Sequence, residues 1–121
     1  MSTSTKRREG VPVAHSSLLA ERVRDALRGE RGIREKRMFG GLAFLLGGNL
    51  LVGVWTSSLV VRLGLKQAPE ALREPHVAPF APSGRPMRGW VIVEADGLEH
   101  DRQLVAWIDR AAAFVRTLPA K

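Results

Sequence analysis

Between Leu42 and Trp55 the chain reads LAFLLGGNLLVGVW, two short apolar runs separated by Gly47, Gly48 and Asn49. Each run has the length of a strand, and Gly and Asn tolerate the positive φ of a tight hairpin, so the segment is predicted as an antiparallel pair. A strand with one wet face alternates apolar and polar residues. Here Leu42 to Leu46 and Leu50 to Trp55 are apolar at nearly every position, which predicts a sheet covered on both faces. Helices from so short a chain cover one face more readily than two, and a second copy of the chain, as a homodimer, is the expected cover for the remainder.

The flanking sequence extends this hairpin. IREKRM (33–38) precedes it, LVVRL (59–63) succeeds it across a turn at Thr56, Ser57 and Ser58, and MRGWVIVE (87–94) supplies a further strand before the Asp96-Gly97 turn. Gly40 and Gly41 read as a bulge or bend between two strands, with Phe39 held in the core. Before the strands, Ser16 and Ser17 are placed to cap a helix whose apolar residues Leu19, Val23, Ala26 and Leu27 share one face, with Gly29 as a left-handed C′ stop. A short helical piece is predicted around 70–73, then an extended loop through Pro75, Pro79, Pro82 and Pro86. A last helix begins at an Asp101 N-cap, carries Leu104, Ile108, Ala111, Val115 and Leu118 on one face, and stops at Pro119. The expected fold is α+β in two layers, an antiparallel meander packed against N- and C-terminal helices over residues 15–121. Residues 1–14, MSTSTKRREGVPVA, are expected to be a flexible basic arm.

With 121 residues the chain has room for one core and not two. It contains no cysteine, which excludes disulfides, thiolate metal sites and a thiol nucleophile. His15, His76 and His100 are dispersed, and Glu99-His100-Asp101 is better explained as the start of a helix than as metal ligands. Ser57 and Ser58 lie in a turn with no nucleophile motif around them, and no pair of carboxylates stands out as acid and base. Met38-Phe39-Gly40-Gly41 lacks the Gly-Lys-Ser/Thr ending of a phosphate loop and is succeeded by a strand. No catalytic residue, metal or cofactor is therefore expected. No run approaches the roughly 18 apolar residues of a membrane helix and no apolar leader comes after Lys6, Arg7 and Arg8, so a cytoplasmic protein with no membrane partner is expected.

Nineteen Lys and Arg face twelve Asp and Glu, a net +7. The excess is uneven, because residues 1–40 hold ten of the cations and five of the anions. Arg31, Arg34, Lys36 and Arg37 form one cluster and Arg85 with Arg88 another, beside Trp90. These six are the candidate nucleic-acid contacts, with simple solvation of an Arg-rich surface as the alternative.

Taken together, several elements resemble the TfoX N-terminal domain of the TfoX/Sxy family. They are Lys36-Arg37-Met38-Phe39-Gly40-Gly41-Leu42-Ala43-Phe44, Gly48-Asn49, Gly53, Leu59-Val60-Val61-Arg62, Gly84-Arg85-Pro86-Met87-Arg88-Gly89-Trp90, and Trp107 in the last helix. The resemblance runs from about Leu18 to Lys121 and is nearest to short, free-standing bacterial members that end in a Trp-bearing helix and a Leu-Pro-x-Lys tail. It implies an α+β domain and, from the family's named members, regulation of competence genes in concert with the cyclic-AMP receptor protein. It implies no enzyme. The second, helical domain of those regulators is not expected here, and the basic arm lies outside the shared region. The expected function is a non-catalytic regulatory or protein-interaction module with an unidentified protein partner. Direct nucleic-acid binding is the second reading, and small-molecule sensing in a pocket between the sheet and the last helix near Trp90 and Trp107 is the third.

Overall fold

The structure is a computed structural model that describes residues 15–38 and 40–121. The expected arm and the expected burial of Phe39 fall outside the described residues. Among the described residues three helices and six strands run in the order α1 (Ser17–Ala26), β1 (Ile33–Met38), β2 (Gly41–Leu46), β3 (Asn49–Trp55), β4 (Ser58–Arg62), α2 (Gly64–Ala71), β5 (Val77–Pro79), β6 (Trp90–Val93) and α3 (Asp101–Val115), with a 3-10 turn at Ala95–Leu98 before α3. The strands form one antiparallel sheet in the order β1-β2-β3-β4-β6-β5. The α+β fold read from the sequence is the fold observed.

One face of the sheet carries the main core. Leu42, Phe44, Val52, Val54, Leu59, Val61, Val91 and Val93 pack there beneath Leu19 and Val23 of α1, Ala68 and Ala71 of α2, and Leu104, Trp107, Ile108 and Val115 of α3. The register explains which side chains these are. Leu42 lies opposite Val54 and Phe44 opposite Val52, but the next pair is Leu45 with Leu50, so Leu51 is an extra residue in a bulge. That bulge lets Leu51 and Val52, neighbours in sequence, both be fully buried. It is one reason the run does not alternate.

Part of the second face is covered by the chain itself. Ala43, Gly53 and Val60 are neighbours across β2, β3 and β4 and form a floor of small side chains. Phe80, just past the end of β5, lies fully buried in contact with this region. Its ring meets Trp55 edge-on at 5.5 Å and tilts against Trp90 at 6.4 Å, the offset geometries that aromatic rings prefer. Only about 10 Å³ remains free there, room for little more than one water. Part of the cover expected from a second copy is thus supplied in cis by the Pro-rich passage.

Four local expectations are corrected. That passage is not all loop, because Val77–Pro79 pairs with β6 as an edge strand. The short helix begins at Gly64 rather than near Glu70 and contains Pro69. In a two-turn helix Pro69 removes only the one hydrogen bond that its N–H would have donated to the Leu65 carbonyl. Gly29 is not left-handed. The helix ends in turns that bond Leu27 N–H to the Val23 carbonyl and Arg28 N–H to that of Asp25, and the positive φ of 79° falls on Gly32, one residue before β1. Finally, His100 rather than Asp101 is the N-cap of α3. The His100 N–H donates to Gln103 Oε1 at 2.8 Å, while Asp101 sits in the first turn and pairs with Arg22 at 3.0 Å. A carboxylate in that turn faces the positive end of the helix dipole.

Gly41 opens β2 because nothing larger fits. A Cβ there would collide with the Val54 carbonyl oxygen across the strand pair. Among the described residues no helix is long and apolar enough to cross a membrane.

Candidate functional site

Two of the motif elements, LVVR and GRPMRGW, converge at one end of the sheet. Arg62 ends β4 directly opposite Trp90 at the start of β6. The chain then turns into α2, and the Gly89 carbonyl accepts hydrogen bonds from both Leu63 N–H (2.9 Å) and Gly64 N–H (3.0 Å). These two bonds tie the GRPMRGW turn to the start of α2. Met87 N–H donates to the Phe80 carbonyl at 2.8 Å, which links the same turn to the aromatic cover of the second face.

Close packing from α3 completes the junction. Gly64 has φ of 88°, and a Cβ on it would lie 2.5 Å from the Phe114 ring. Glycine is therefore required both by the backbone and by the space. Arg62 is held between two rings, with its guanidinium carbon 5.3 Å from the centre of Trp90 and 5.7 Å from that of Phe114. Both lie within cation–π reach. Arg110, one turn earlier on α3 than Phe114, stacks on Trp107 at 4.1 Å and donates to both carboxylate oxygens of Glu74 at 2.9 and 3.2 Å.

Three hollows surround Leu65, a residue that is 64% exposed. The largest, about 680 Å³, lies between α2 and α3 and is lined by Leu63, Leu65, Lys66, Arg110, Ala113 and Phe114 among others. A second, about 300 Å³, runs between Leu65, Pro69 and Leu72 on one side and Pro79, Pro86 and Met87 opposite. A third, about 120 Å³, holds Arg62, Arg88 and Trp90. Among the described residues no carboxylate lines any of the three, and four cations do: Arg62, Lys66, Arg88 and Arg110. The result is an apolar surface edged by cations, of which Arg110 is paired with Glu74 while Arg62, Lys66 and Arg88 have no ion-pair partner among the described residues.

The candidate nucleic-acid residues are only partly brought together. Arg31, Arg34, Lys36 and Arg37 are exposed at the β1 edge, and register divides them. Arg37 lies opposite Leu42 on the helix-covered side, while Arg34 and Lys36 lie opposite Leu45 and Ala43 on the other. Glu35, also on the helix side, accepts two hydrogen bonds from Arg24, at 2.6 and 2.8 Å. That pairing holds its carboxyl below the usual carboxylate range, because the bonds favour the charged form. Arg85 and Arg88 lie in the segment after β5, at the other end of the strand order. None of the six has an ion-pair partner among the described residues.

Of the motif residues, Met38, Gly41 and Trp90 build or border the second face, and Gly40 makes the β1–β2 turn. Trp107 is in the main core. Trp90 and Trp107 are therefore on opposite faces of the sheet, and no described pocket lies between them; the main hollow is one turn further along α3. Sequence reasoning missed Leu65, Lys66, Arg110 and Phe114, which lie in two helices whose patterns advertise only their buried faces. Phe80 did leave a signal, a lone aromatic residue within a Pro-rich stretch. Among the described residues no group of His, Asp and Glu is arranged to hold a metal.

The fold and this junction define, among the described residues, an α+β module built on one sheet, with an apolar hollow edged by cations next to the Arg62 and 84–90 elements. The chain belongs to the TfoX N-terminal domain family, whose model matches residues 25–115. No curated protein and no solved structure matches it.

Proposed function

We propose that this chain is a non-catalytic regulatory module of the cytoplasm that works by holding another protein. The groove between α2 and the 79–90 segment is where it does so. The supporting observation is the groove itself. Leu65, Pro69 and Leu72 on one wall face Pro79, Pro86 and Met87 on the other, with Arg88 and no carboxylate among the described lining residues. Exposed apolar surface edged by charge of one sign is what a partner site presents, and the sign selects a partner segment with apolar and acidic side chains.

A photo-crosslinking residue placed at Leu72 in cells tests this, with the same residue at Val105 as the control; the two positions are 39% and 40% exposed. The expected result is an adduct with one other protein from Leu72, absent from Val105 and lost with Met87→Asp. An adduct with a second copy of the chain would assign the groove to the homodimer instead. Equal labelling from both positions would overturn the reading.

Direct nucleic-acid binding is kept as a second reading on one observation, the six candidate cations without ion-pair partners. If Arg31, Arg34, Lys36 and Arg37 each contact a phosphate, log affinity for duplex DNA should fall against log salt with a slope of about −3.6. A flat titration with duplex and single-stranded DNA at about 50 mM salt, where such contacts are strong, would remove it.

A further inference from the structure

We propose that the hollow between α2 and α3 is a binding site for a small apolar molecule carrying a carboxylate. Its volume is about 680 Å³. That falls within the range of about 300–1,000 Å³ that small-molecule sites occupy. Leu63, Ala113 and the Phe114 ring offer an apolar surface to the body of such a molecule, and Leu65 stands exposed at the edge where it can close over it. Charge decides the head group. Among the described residues the lining contains Lys66 and Arg110 and no acid.

The two cations have different standing. Arg110 is already fixed, by its stack on Trp107 and by its two bonds to Glu74, so its remaining N–H groups are held in place. Lys66 has no ion-pair partner among the described residues and sits on the first turn of α2. A bound carboxylate would supply the partner that Lys66 lacks and take a hydrogen bond from the prepositioned Arg110. Gly64 fits the same picture, because it lets the Phe114 ring lie against the chain at the back of the hollow, where any side chain would displace it. This site is separate from the protein-binding groove: the two share Leu65, but Lys66, Ala113 and Phe114 line only the hollow and Leu72 and Met87 only the groove.

The test is amide NMR of the full chain titrated with naphthoate and, in parallel, with naphthylmethanol, its neutral counterpart. For a probe of this size the expected Kd is on the order of 1 mM or tighter. Naphthoate should give saturable shifts at residues 64–67 and at Ala113 and Phe114, and should bind about three- to fivefold more tightly than the alcohol, the worth of one exposed ion pair. Lys66→Glu should erase that difference without changing the melting curve, since Lys66 is exposed and no described bond of the fold depends on it. Ala113→Trp, on the exposed face of α3, should fill the hollow and abolish binding of both probes. The proposal is overturned by the absence of saturation at about 5 mM, by equal affinity for the two probes, or by an Ala113→Trp protein that folds and binds as the parent does. Should Ala113→Trp not fold, the Lys66→Glu comparison decides alone.

Discussion

Asn49 is the single buried polar side chain among the described residues. Its Nδ2 donates to the Pro119 carbonyl at 2.9 Å, and next to it the Lys121 N–H donates to the Gly47 carbonyl at 2.8 Å, so the tail after α3 is stitched to the tip of the β2–β3 hairpin. Asn49→Ala should cost about 1–2 kcal/mol in urea unfolding, the value of a hydrogen bond whose partner is left partly buried. Removing residues 119–121 should cost more, because it also breaks the Lys121–Gly47 bond, and the two changes together should cost little more than the truncation alone, since the Asn49 bond is lost in both. Glu35 gives a second test at this scale. Its folded carboxyl titrates below its unfolded value because of the hydrogen bonds from Arg24. The pair therefore contributes stability above the ordinary carboxylate range and loses it as pH falls through the lowered folded value. Arg24→Gln should move the Glu35 midpoint upward, toward that of an unpaired glutamate, in an NMR titration of the side-chain carboxyls.

Among the elements, α1 begins as its sequence says. Ser16 Oγ accepts the Leu19 N–H at 3.1 Å, and Ser16→Ala should cost about 1 kcal/mol in thermal or urea unfolding. The same local legibility holds for the β2–β3 hairpin, where Gly47-Gly48 and two apolar runs leave one solution, and for β4 and α3, whose apolar patterns are unbroken. It fails for β5. Three residues with a proline among them carry no period, and they become a strand only because β6 offers a free edge and Phe80 anchors the chain just beyond. The helix start at Gly64 was hidden for a related reason: Pro69 reads as a breaker from sequence, and the Gly89 carbonyl that orders the first turn lies 25 residues away. The candidate site is less legible still. Arg62 and the 84–90 turn could be named because they form local motifs, but Phe114 reaches Arg62, and Arg110 and Ala113 reach the hollow that Lys66 lines, only through tertiary packing, and no spacing along the chain marks that meeting.

At the level of the whole molecule, the five ion pairs among the described residues all include arginine, and four of them tie separate segments together: α1 to α3, α1 to β1, α3 to the turn after α2, and the end of α3 to Glu30. Cations outside these pairs gather at the β1 edge and around the Leu65 hollows, so much of the net +7 sits where no acid answers it. The second face depends on one side chain. Phe80→Ala should cost about 3–5 kcal/mol, red-shift the fluorescence of Trp55 and Trp90 as water reaches them, and raise the self-association measured by sedimentation velocity, since the floor at Ala43, Gly53 and Val60 would then lie open. The rims of the sheet behave differently from its faces. One rim, β1, carries Arg34, Glu35, Lys36 and Arg37 in succession, and the other, β5, is three residues long and ends in Pro79, which has no N–H to donate. A strand from another chain would have to bring charge against charge at the first and forgo a ladder bond at the second. Growth of the sheet by templating, the route to cross-β fibres, is therefore blocked in both directions, and a crowded solution of this apolar-cored β-protein should stay clear where an unguarded one would seed.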